Sequence, residues 1–234
     1  MSPVAIAQPR RDWEYVEAWG MSSGGATRVI RPRTTDELQA ALEEARRAGV
    51  SLAPRGAGCS YGDASTLSNG WVLDLTRMNK VLSFDPESGV LEAEAGLSGR
   101  GAWQHILPYG WWPYVVSGTM HPTIAGAAAM NIHGKNHFRV GAFGDQLLEL
   151  DLLTVAGETL TCGPNREPDV FEAVIGGLGI LGVVTRVVLQ LKSVGSGDLE
   201  VEALSVPSLD ALFDAYERRR EGADYLVGWV DCFA

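Results

Sequence analysis

The segment Arg55–Asp63 has the residue types most clearly suited to binding an anionic ligand. It reads Arg-Gly-Ala-Gly-Cys-Ser-Tyr-Gly-Asp and follows a short apolar run, 50–54, that is typical of a β-strand. Glycine allows a positive φ and a close approach of the backbone, and successive N–H groups in such turns form an anion-binding nest. Ser60 adds a hydroxyl donor and Arg55 adds a positive charge. The segment therefore predicts a pyrophosphate-binding loop, although an ordinary turn would have a similar composition.

Two other segments have little side-chain bulk. Residues 117–126 are mostly small, so that a flat, wide group could lie against the main chain. Residues 176–184 are again glycine-rich and lead into a β-branched run. Three such segments in one chain predict one large ligand that is contacted at several places.

A polar cluster follows the second of these segments and contains His133, Lys135, Asn136 and His137. Histidine can transfer protons near neutral pH, so His133 is the first candidate for a catalytic residue, although a capping or core histidine would fit the same pattern. Lys135 fits a surface lysine equally well. His133 and His137 are four residues apart, but the metalloprotease pattern needs a glutamate where Gly134 stands, so no metal is predicted.

In their order, the three segments resemble the flavin domain of the vanillyl-alcohol-oxidase, or PCMH-type, FAD oxidoreductases. Within that family, the phrases Arg-Gly-x-Gly-x-Ser-Tyr-Gly-Asp and Ile-His-Gly-Lys-Asn-His are most similar to the decaprenylphosphoryl-β-D-ribose oxidase-like flavoproteins. The resemblance covers about residues 19–191. It implies an α+β fold, with a PCMH-type FAD-binding domain of two α/β subdomains, and it implies FAD as the cofactor. The residues alone indicate only a large anionic ligand.

The resemblance also implies roles for individual residues. The matching histidine lies beside the isoalloxazine ring, so His133 would hydrogen-bond the flavin or orient a substrate hydroxyl. Lys135 and Tyr61 would face the substrate, although Tyr61 could equally be a packing residue. These three residues are the catalytic candidates. The implied cofactor-binding residues are Pro54, Arg55, Gly56, Ala57, Gly58, Cys59, Ser60, Tyr61, Gly62, Asp63, Ala64, Gly118, Thr119, Thr123, Ile124, Ala125, Gly126, His133, Gly179 and Val184.

Several positions depart from the family pattern. Cys59 stands where many relatives carry a histidine that is bonded to the flavin, and His121 lies near the position of a flavin-linked cysteine in the berberine-bridge relatives. FAD is therefore expected to be held non-covalently. Ala125 replaces a frequent glycine, and Leu178 replaces a frequent polar residue, which leaves one flavin hydrogen bond in doubt.

Local patterns predict the elements that must position these residues. Thr34 and Glu37 form a capping box that begins a helix, its apolar residues recur at 38, 41, 42 and 45, and Gly49 ends it. The next strand leads into the Arg55–Asp63 loop, which gives a β-α-β unit with a ligand loop at the carboxyl end of a strand. Further along, the sequence predicts strands at 71–75, 81–85, 90–94, 147–155, 159–162 and 183–191, and helices at 102–107 and 168–174.

The C-terminal part has a different organisation. Residues 193–197 have the composition of a linker, and they are followed by a predicted strand (199–206), helix (208–220) and strand (225–230). In the resembled family, a substrate domain begins at this point. The predicted division is therefore a tail (1–12), a PCMH-type FAD-binding domain (13–192), a linker (193–197) and the beginning of an incomplete substrate, or cap, domain (198–234).

Composition argues against several function classes. The 234 residues carry 19 Lys and Arg against 29 Asp and Glu, a net charge of −10, which disfavours nucleic-acid binding. No run of 18 apolar residues occurs, so stable membrane insertion is not expected, and peripheral membrane contact is expected only for a prenyl phosphate substrate. The three cysteines are far apart and form neither a disulfide framework nor a metal site, which favours a cytoplasmic location.

The function expected from the resemblance is FAD-dependent oxidation of a secondary alcohol. The substrate would be a sugar, a polyol or a prenylphosphoryl sugar, and hydride would pass to flavin N5. One alternative is an aldonolactone oxidase that uses O₂. An alternative from another class is a binding module that holds FAD but is inactive as this 234-residue chain.

Overall fold

The computed structural model describes residues 13–232 and has an α+β architecture with two β-sheets. The strands are β1 (Trp13–Glu17), β2 (Gly24–Ile30), β3 (Leu52–Arg55), β4 (Trp71–Asp74), β5 (Val81–Asp85), β6 (Val90–Glu94), β7 (Trp111–Pro113), β8 (Leu147–Thr154), β9 (Thr159–Cys162) and β10 (Gly182–Ser193). The helices are α1 (Thr35–Ala48), α2 (Gly99–Ile106), α3 (Ile124–Ala129), α4 (His137–Val140), α5 (Pro168–Val174) and α6 (Leu209–Arg219). The predicted tail, residues 1–12, lies outside the described residues.

The first sheet has the order β1-β2-β4-β3 and carries the predicted ligand loop. β2 and β3 both pair with β4 in parallel, whereas β1 pairs with β2 in antiparallel. Helix α1 makes the crossover from β2 to β3, so the carboxyl end of β3 delivers the chain into the loop at Gly56. The predicted β-α-β unit is confirmed, and it places the loop at the edge of the sheet where open α/β sheets bind ligands.

Helix α1 has the ends that its sequence predicts. The Thr34 hydroxyl accepts a hydrogen bond from the Glu37 N–H at 3.2 Å, and the cap residue Gly49 has a φ of 63°. Strand β3 spans Leu52–Arg55 rather than the predicted 50–54. The reason is that the Val50 N–H donates to the Ala45 carbonyl at 3.1 Å, which ties Val50 to the end of the helix.

The second sheet has the order β5-β6-β10-β8-β9, and β7 pairs with the last residues of β10. Alternate residues of β10, such as Val187, Leu189 and Leu191, are buried in a core that also contains Leu38 of α1. The outward residue Arg186 bonds Glu92 at 2.8 Å and Asp151 at 2.7 Å, and it also pairs with Glu149. Strand β10 therefore has one face buried in the hydrophobic core and one outer face that carries charged side chains.

The C-terminal segment differs from the prediction. Within residues 13–232, no strand forms over 199–206 or 225–230, and both predictions were wrong. A strand needs a neighbour for its backbone hydrogen bonds. Residues Leu199 and Val201 are 68% and 79% exposed, and the Leu226 N–H donates instead to the Lys135 carbonyl at 2.9 Å. Helix α6 forms close to its predicted bounds, with Ser208 as its N-cap.

No helix among the described residues combines the length and the apolar character needed to cross a membrane.

Candidate functional site

A cleft of about 650 Å³ lies beside the loop that follows β3. Its walls come from Trp19 and from residues within four stretches of chain, 54–65, 75, 117–133 and 178–184. The volume is within the range of small-molecule and cofactor sites. All three glycine- or alanine-rich segments singled out in the sequence therefore meet at one cleft.

Most of the predicted site residues line this cleft. They are Pro54, Arg55, Gly56, Ala57, Gly58, Cys59, Ser60, Tyr61, Ala64, Gly118, Thr119, Thr123, Ala125, Gly126, His133, Gly179 and Val184. Four predicted residues, Gly62, Asp63, Ile124 and Lys135, are not among the lining residues. Ile124 is 4% exposed and belongs to the core, and the other three are exposed.

Sequence reasoning did not find every lining residue. The residues it missed are Trp19, Ser65, Leu75, Ser117, His121, Pro122, Ala129, Met130, Asn131, Ile132, Leu178 and Gly182. Five of these, Ser117, His121, Pro122, Leu178 and Gly182, lie inside the second and third segments, and 129–132 follow the second, so treating each segment as a whole would have found most of them. Trp19 is different, because the turn between β1 and β2 reaches the cleft only through the fold.

The backbone of the loop has an unusual hydrogen-bonding pattern. Three of its carbonyl oxygens accept hydrogen bonds from the turn after β1. The Trp19 N–H donates to the Gly58 oxygen at 2.9 Å, and the Gly20 N–H donates to the Ser60 oxygen at 3.3 Å. The Ser22 hydroxyl donates to the Tyr61 oxygen at 2.9 Å. Among the described residues, the N–H groups from 56 to 65 have no hydrogen-bond acceptor. A run of donors without acceptors suits a ligand with several anionic oxygens.

Glycine is required at two positions of this loop. A Cβ on Gly56 would overlap the hydroxyl oxygen of Thr123, and Gly58 has a φ of 70° with the Arg55 guanidinium where a side chain would lie. The loop therefore touches Thr123, which caps helix α3 through its bond from the Gly126 N–H at 3.3 Å. This contact joins the first segment to the second.

Arg55 holds the loop in place. Its guanidinium donates to the Ser65 carbonyl and to the Glu17 carbonyl, both at 2.9 Å. Burial lowers the pKa of Arg55, while Asp74 and Cys59 act to raise it. The sequence suggested only a charge beside the ligand, and the structure adds a bracing role between the two ends of the loop.

The third segment is attached to the end of α3. The Gly176 N–H donates to the Ala128 carbonyl at 3.0 Å, and the Leu178 N–H donates to the Ala129 carbonyl at 2.9 Å. A Cβ on Gly179 would lie 2.6 Å from Cγ of Pro54, so this segment also packs against the start of the loop. The three segments are thus held against one another beside the cleft by backbone hydrogen bonds and close side-chain contacts.

The polar turn before α4 carries two of the three catalytic candidates, and the third, Tyr61, lies on the loop after β3. His133 is exposed and lines the cleft, and its ring lies edge-on to His137 with 5.7 Å between centroids. Lys135 is exposed next to it. Asn136 is only 2% exposed and donates to the Tyr114 carbonyl at 2.7 Å, which anchors the turn. Tyr61 is 78% exposed at the rim of the cleft.

Within residues 13–232, no group of three or more His, Cys, Asp or Glu side chains is arranged to hold a metal ion.

Comparison with known proteins identifies the family. The family model described as "FAD binding domain" matches residues 26–163, which is more than half of the chain. The chain belongs to the PCMH-type FAD-binding family. FAD is accordingly its cofactor, as the family resemblance of the sequence implied.

Individual relatives of this FAD-binding chain have different named substrates. It is 31% identical to "Decaprenylphosphoryl-beta-D-ribose oxidase" of Mycolicibacterium smegmatis over 92% of the chain and 48% of that protein. It is 31% identical to "Putative D-arabinono-1,4-lactone oxidase" of Neurospora crassa over 68% of the chain and 28% of that protein. It is 30% identical to "Cytokinin dehydrogenase 2" of Arabidopsis thaliana over 68% of the chain and 32% of that protein. The chain spans about half the length of these relatives, or less.

The residues of the cleft fit FAD. The unpaired N–H groups of 56–65 suit the two phosphates, and the small side chains of Ala125 and Gly126 leave room for a flat ring against the main chain. Burial raises the pKa of the Cys59 thiol, with a smaller opposing effect of Arg55. Cys59 is therefore a neutral thiol at neutral pH, and it lacks the thiolate character that makes cysteine a nucleophile.

Proposed function

We propose that this chain is the FAD-binding part of an oxidoreductase that oxidises a secondary alcohol of a sugar, a polyol or a prenylphosphoryl sugar. The observation that carries the proposal is the cleft, in which a run of unpaired backbone donors and a wall of small residues meet beside His133. When bound, FAD supplies a hydride acceptor at N5. The name of the mycobacterial relative supports a prenylphosphoryl sugar as one substrate class.

In this proposal each of the three segments contacts a different part of FAD. The loop Arg55–Asp63 holds the pyrophosphate through its N–H groups, and Ala64 closes its end. Gly118, Thr119 and the segment 123–126 lie against the flavin ring. Gly179 and Val184 form the remaining wall.

The catalytic candidates come from the polar turn before α4 and from the loop after β3. His133 orients the substrate hydroxyl or accepts its proton, since histidine transfers protons near neutral pH. Lys135 and Tyr61 face the substrate from the exposed side, where Lys135 attracts a phosphate or hydroxyl oxygen. We also assign residues 198–234 to the beginning of a substrate domain, because 221–226 dock beside this turn through Arg139 and the Lys135 carbonyl.

FAD is held without a covalent bond in this proposal, because Cys59 replaces the linking histidine and is a neutral thiol. Acid precipitation of the yellow protein should therefore release all of the flavin into the supernatant. Flavin that stays in the washed pellet would contradict the proposal.

Two alternatives remain open. The Neurospora relative's name supports an aldonolactone oxidase that uses O₂. A module that binds FAD without turnover is supported by the C-terminal segment, where Trp229 is 92% exposed. The cysteines at 59, 162 and 232 are free, which supports the reducing, cytoplasmic compartment that we include in the proposal.

Anaerobic flavin reduction tests the function. The chain should be purified with FAD, and sugars, polyols, a prenylphosphoryl sugar and an aldonolactone should be added without oxygen. Loss of the visible flavin absorbance with a secondary alcohol supports the proposal, and loss with the lactone alone favours the alternative. A yellow protein that none of them bleaches, in this chain and in one extended to the full length of its relatives, would contradict both enzyme functions.

A further inference from the structure

Leu178 has a backbone conformation that leucine rarely adopts. Its φ is 56°, in the left-handed region that favours glycine and tolerates asparagine. Its neighbours, Gly177 and Gly179, are the residues normally found in such turns. A leucine between them therefore strains the backbone at a position where glycine would fit without strain.

The surrounding contacts enforce this conformation. The Leu178 N–H donates to the Ala129 carbonyl at 2.9 Å, and the Gly176 N–H donates to the Ala128 carbonyl at 3.0 Å. On the other side, Gly179 packs against the ring of Pro54 with no room for a Cβ. Because both sides are fixed, the segment cannot relax to suit the leucine.

Packing within the chain does not compensate for this strain. The Leu178 side chain is 44% exposed, whereas the core leucines such as Leu150 and Leu153 are fully buried. Leu178 also lines the cleft. Strained residues persist where the surrounding structure enforces them, and they cluster at active sites and ligand-binding positions.

We propose that Leu178 is a cofactor-contact residue whose side chain packs against a ring of FAD. This inference rests on the proposed function, in that FAD must occupy the cleft. Because the side chain is apolar, it holds the ring by burial of apolar surface rather than by a hydrogen bond.

The proposal predicts opposite effects on stability and on binding. Leu178→Gly removes both the strain and the contact, so the melting temperature of the FAD-free chain should rise by about 2–4 °C. Its dissociation constant for FAD should rise roughly 3- to 10-fold, as expected from losing part of a leucine's burial. Leu178→Ala keeps the strained φ and should weaken FAD similarly with no rise in melting temperature.

Glu167→Gly is the matched control. Glu167 is exposed, lies outside the cleft lining and also has a positive φ, 49°. The Glu167→Gly variant should have a higher melting temperature than the unsubstituted chain and an unchanged affinity for FAD. An unchanged or tighter FAD affinity in Leu178→Gly, or a fall in its melting temperature, would overturn the proposal, and so would equal weakening by Glu167→Gly. Failure of the unsubstituted, folded chain to bind FAD would instead overturn the proposed function itself.

Discussion

Gly58 leaves space for the Arg55 side chain, which holds the loop in place. Its φ is 70°, and a side chain there would occupy the position of the Arg55 guanidinium, which bonds the carbonyls of Glu17 and Ser65. A side chain at this position therefore strains the turn and also displaces the brace. The donors that follow along the loop depend on both.

Gly58→Val should weaken FAD binding strongly. Loss of two backbone bonds to charged phosphate oxygens, at ~1.5–3 kcal/mol each, corresponds to roughly two to four orders of magnitude in affinity. Gly157→Val is the control, because Gly157 also has a positive φ, 90°, but lies in open space in the turn between β8 and β9. Calorimetric titration of both folded variants with FAD checks the expectation, and equal affinities would show that the loop does not hold the phosphates.

His133→Ala should separate catalysis from cofactor binding. In the protein extended to the full length of its relatives, the variant should retain FAD, since the loop is intact, and should reduce its flavin ~100-fold more slowly with substrate. His137→Ala is the matched control, because His137 lies next to His133 but is not among the cleft-lining residues. Stopped-flow absorbance gives the rates. Reduction at the parent rate would leave His133 with a packing role only.

At the scale of elements, the sequence predicted those with strong local signals. Helix α1 has a cap at each end, and the hairpin of β5 and β6 and the helix α5 have the predicted bounds. Strands β1 and β7 were not predicted because they are short, and β7 has its partner distant in sequence, whereas β2 was implied only as the first strand of the β-α-β unit, with no bounds. Strands were wrongly predicted at 199–206 and 225–230, because apolar and β-branched residues form a strand only where a neighbouring strand is present to pair with them.

The charged face of the second sheet predicts a pH dependence of stability. Burial acts to raise the pKa of Asp151, but hydrogen bonds from Arg186 and Thr161 lower it by more, so its pKa in the folded chain is below the ordinary value. A depressed carboxyl pKa stabilises the fold above the ordinary pKa and loses this effect as the pH falls through the folded value.

Asp151→Asn should therefore cost about 2 kcal/mol near neutral pH, which is roughly 4–8 °C in melting temperature. The difference from the unsubstituted chain should stay constant above pH ~5 and shrink only as the pH falls below ~4 and through the depressed pKa of Asp151, since the folded chain then loses the ionised group. Thermal melts across this range measure the difference. A difference that stays constant or grows on acidification below pH ~4 would exclude a stabilising role for the ionised carboxylate.

At the scale of the whole molecule, the site depends on contacts between segments far apart in sequence. The turn after β1 occupies the carbonyls of the loop, Thr123 touches Gly56, and Gly179 touches Pro54. Composition and glycine patterns were sufficient to predict the three segments and the kind of ligand. They could not predict Trp19, or the bracing by Arg55, because these depend on how the end of β1 and the turn after it pack against the loop that follows β3.

Titration of the chain with FAD and with fragments of FAD tests most directly whether the loop 56–65 holds the pyrophosphate. The folded chain should be titrated by calorimetry with FAD, ADP and adenosine, since ADP and adenosine differ by the two phosphates alone. FAD should bind most tightly, and ADP should bind about 100-fold or more tightly than adenosine, because several N–H bonds to charged oxygens are lost with the phosphates. Gly58→Val should abolish most of that difference. Equal affinities for ADP and adenosine, or no binding of FAD, would contradict the account.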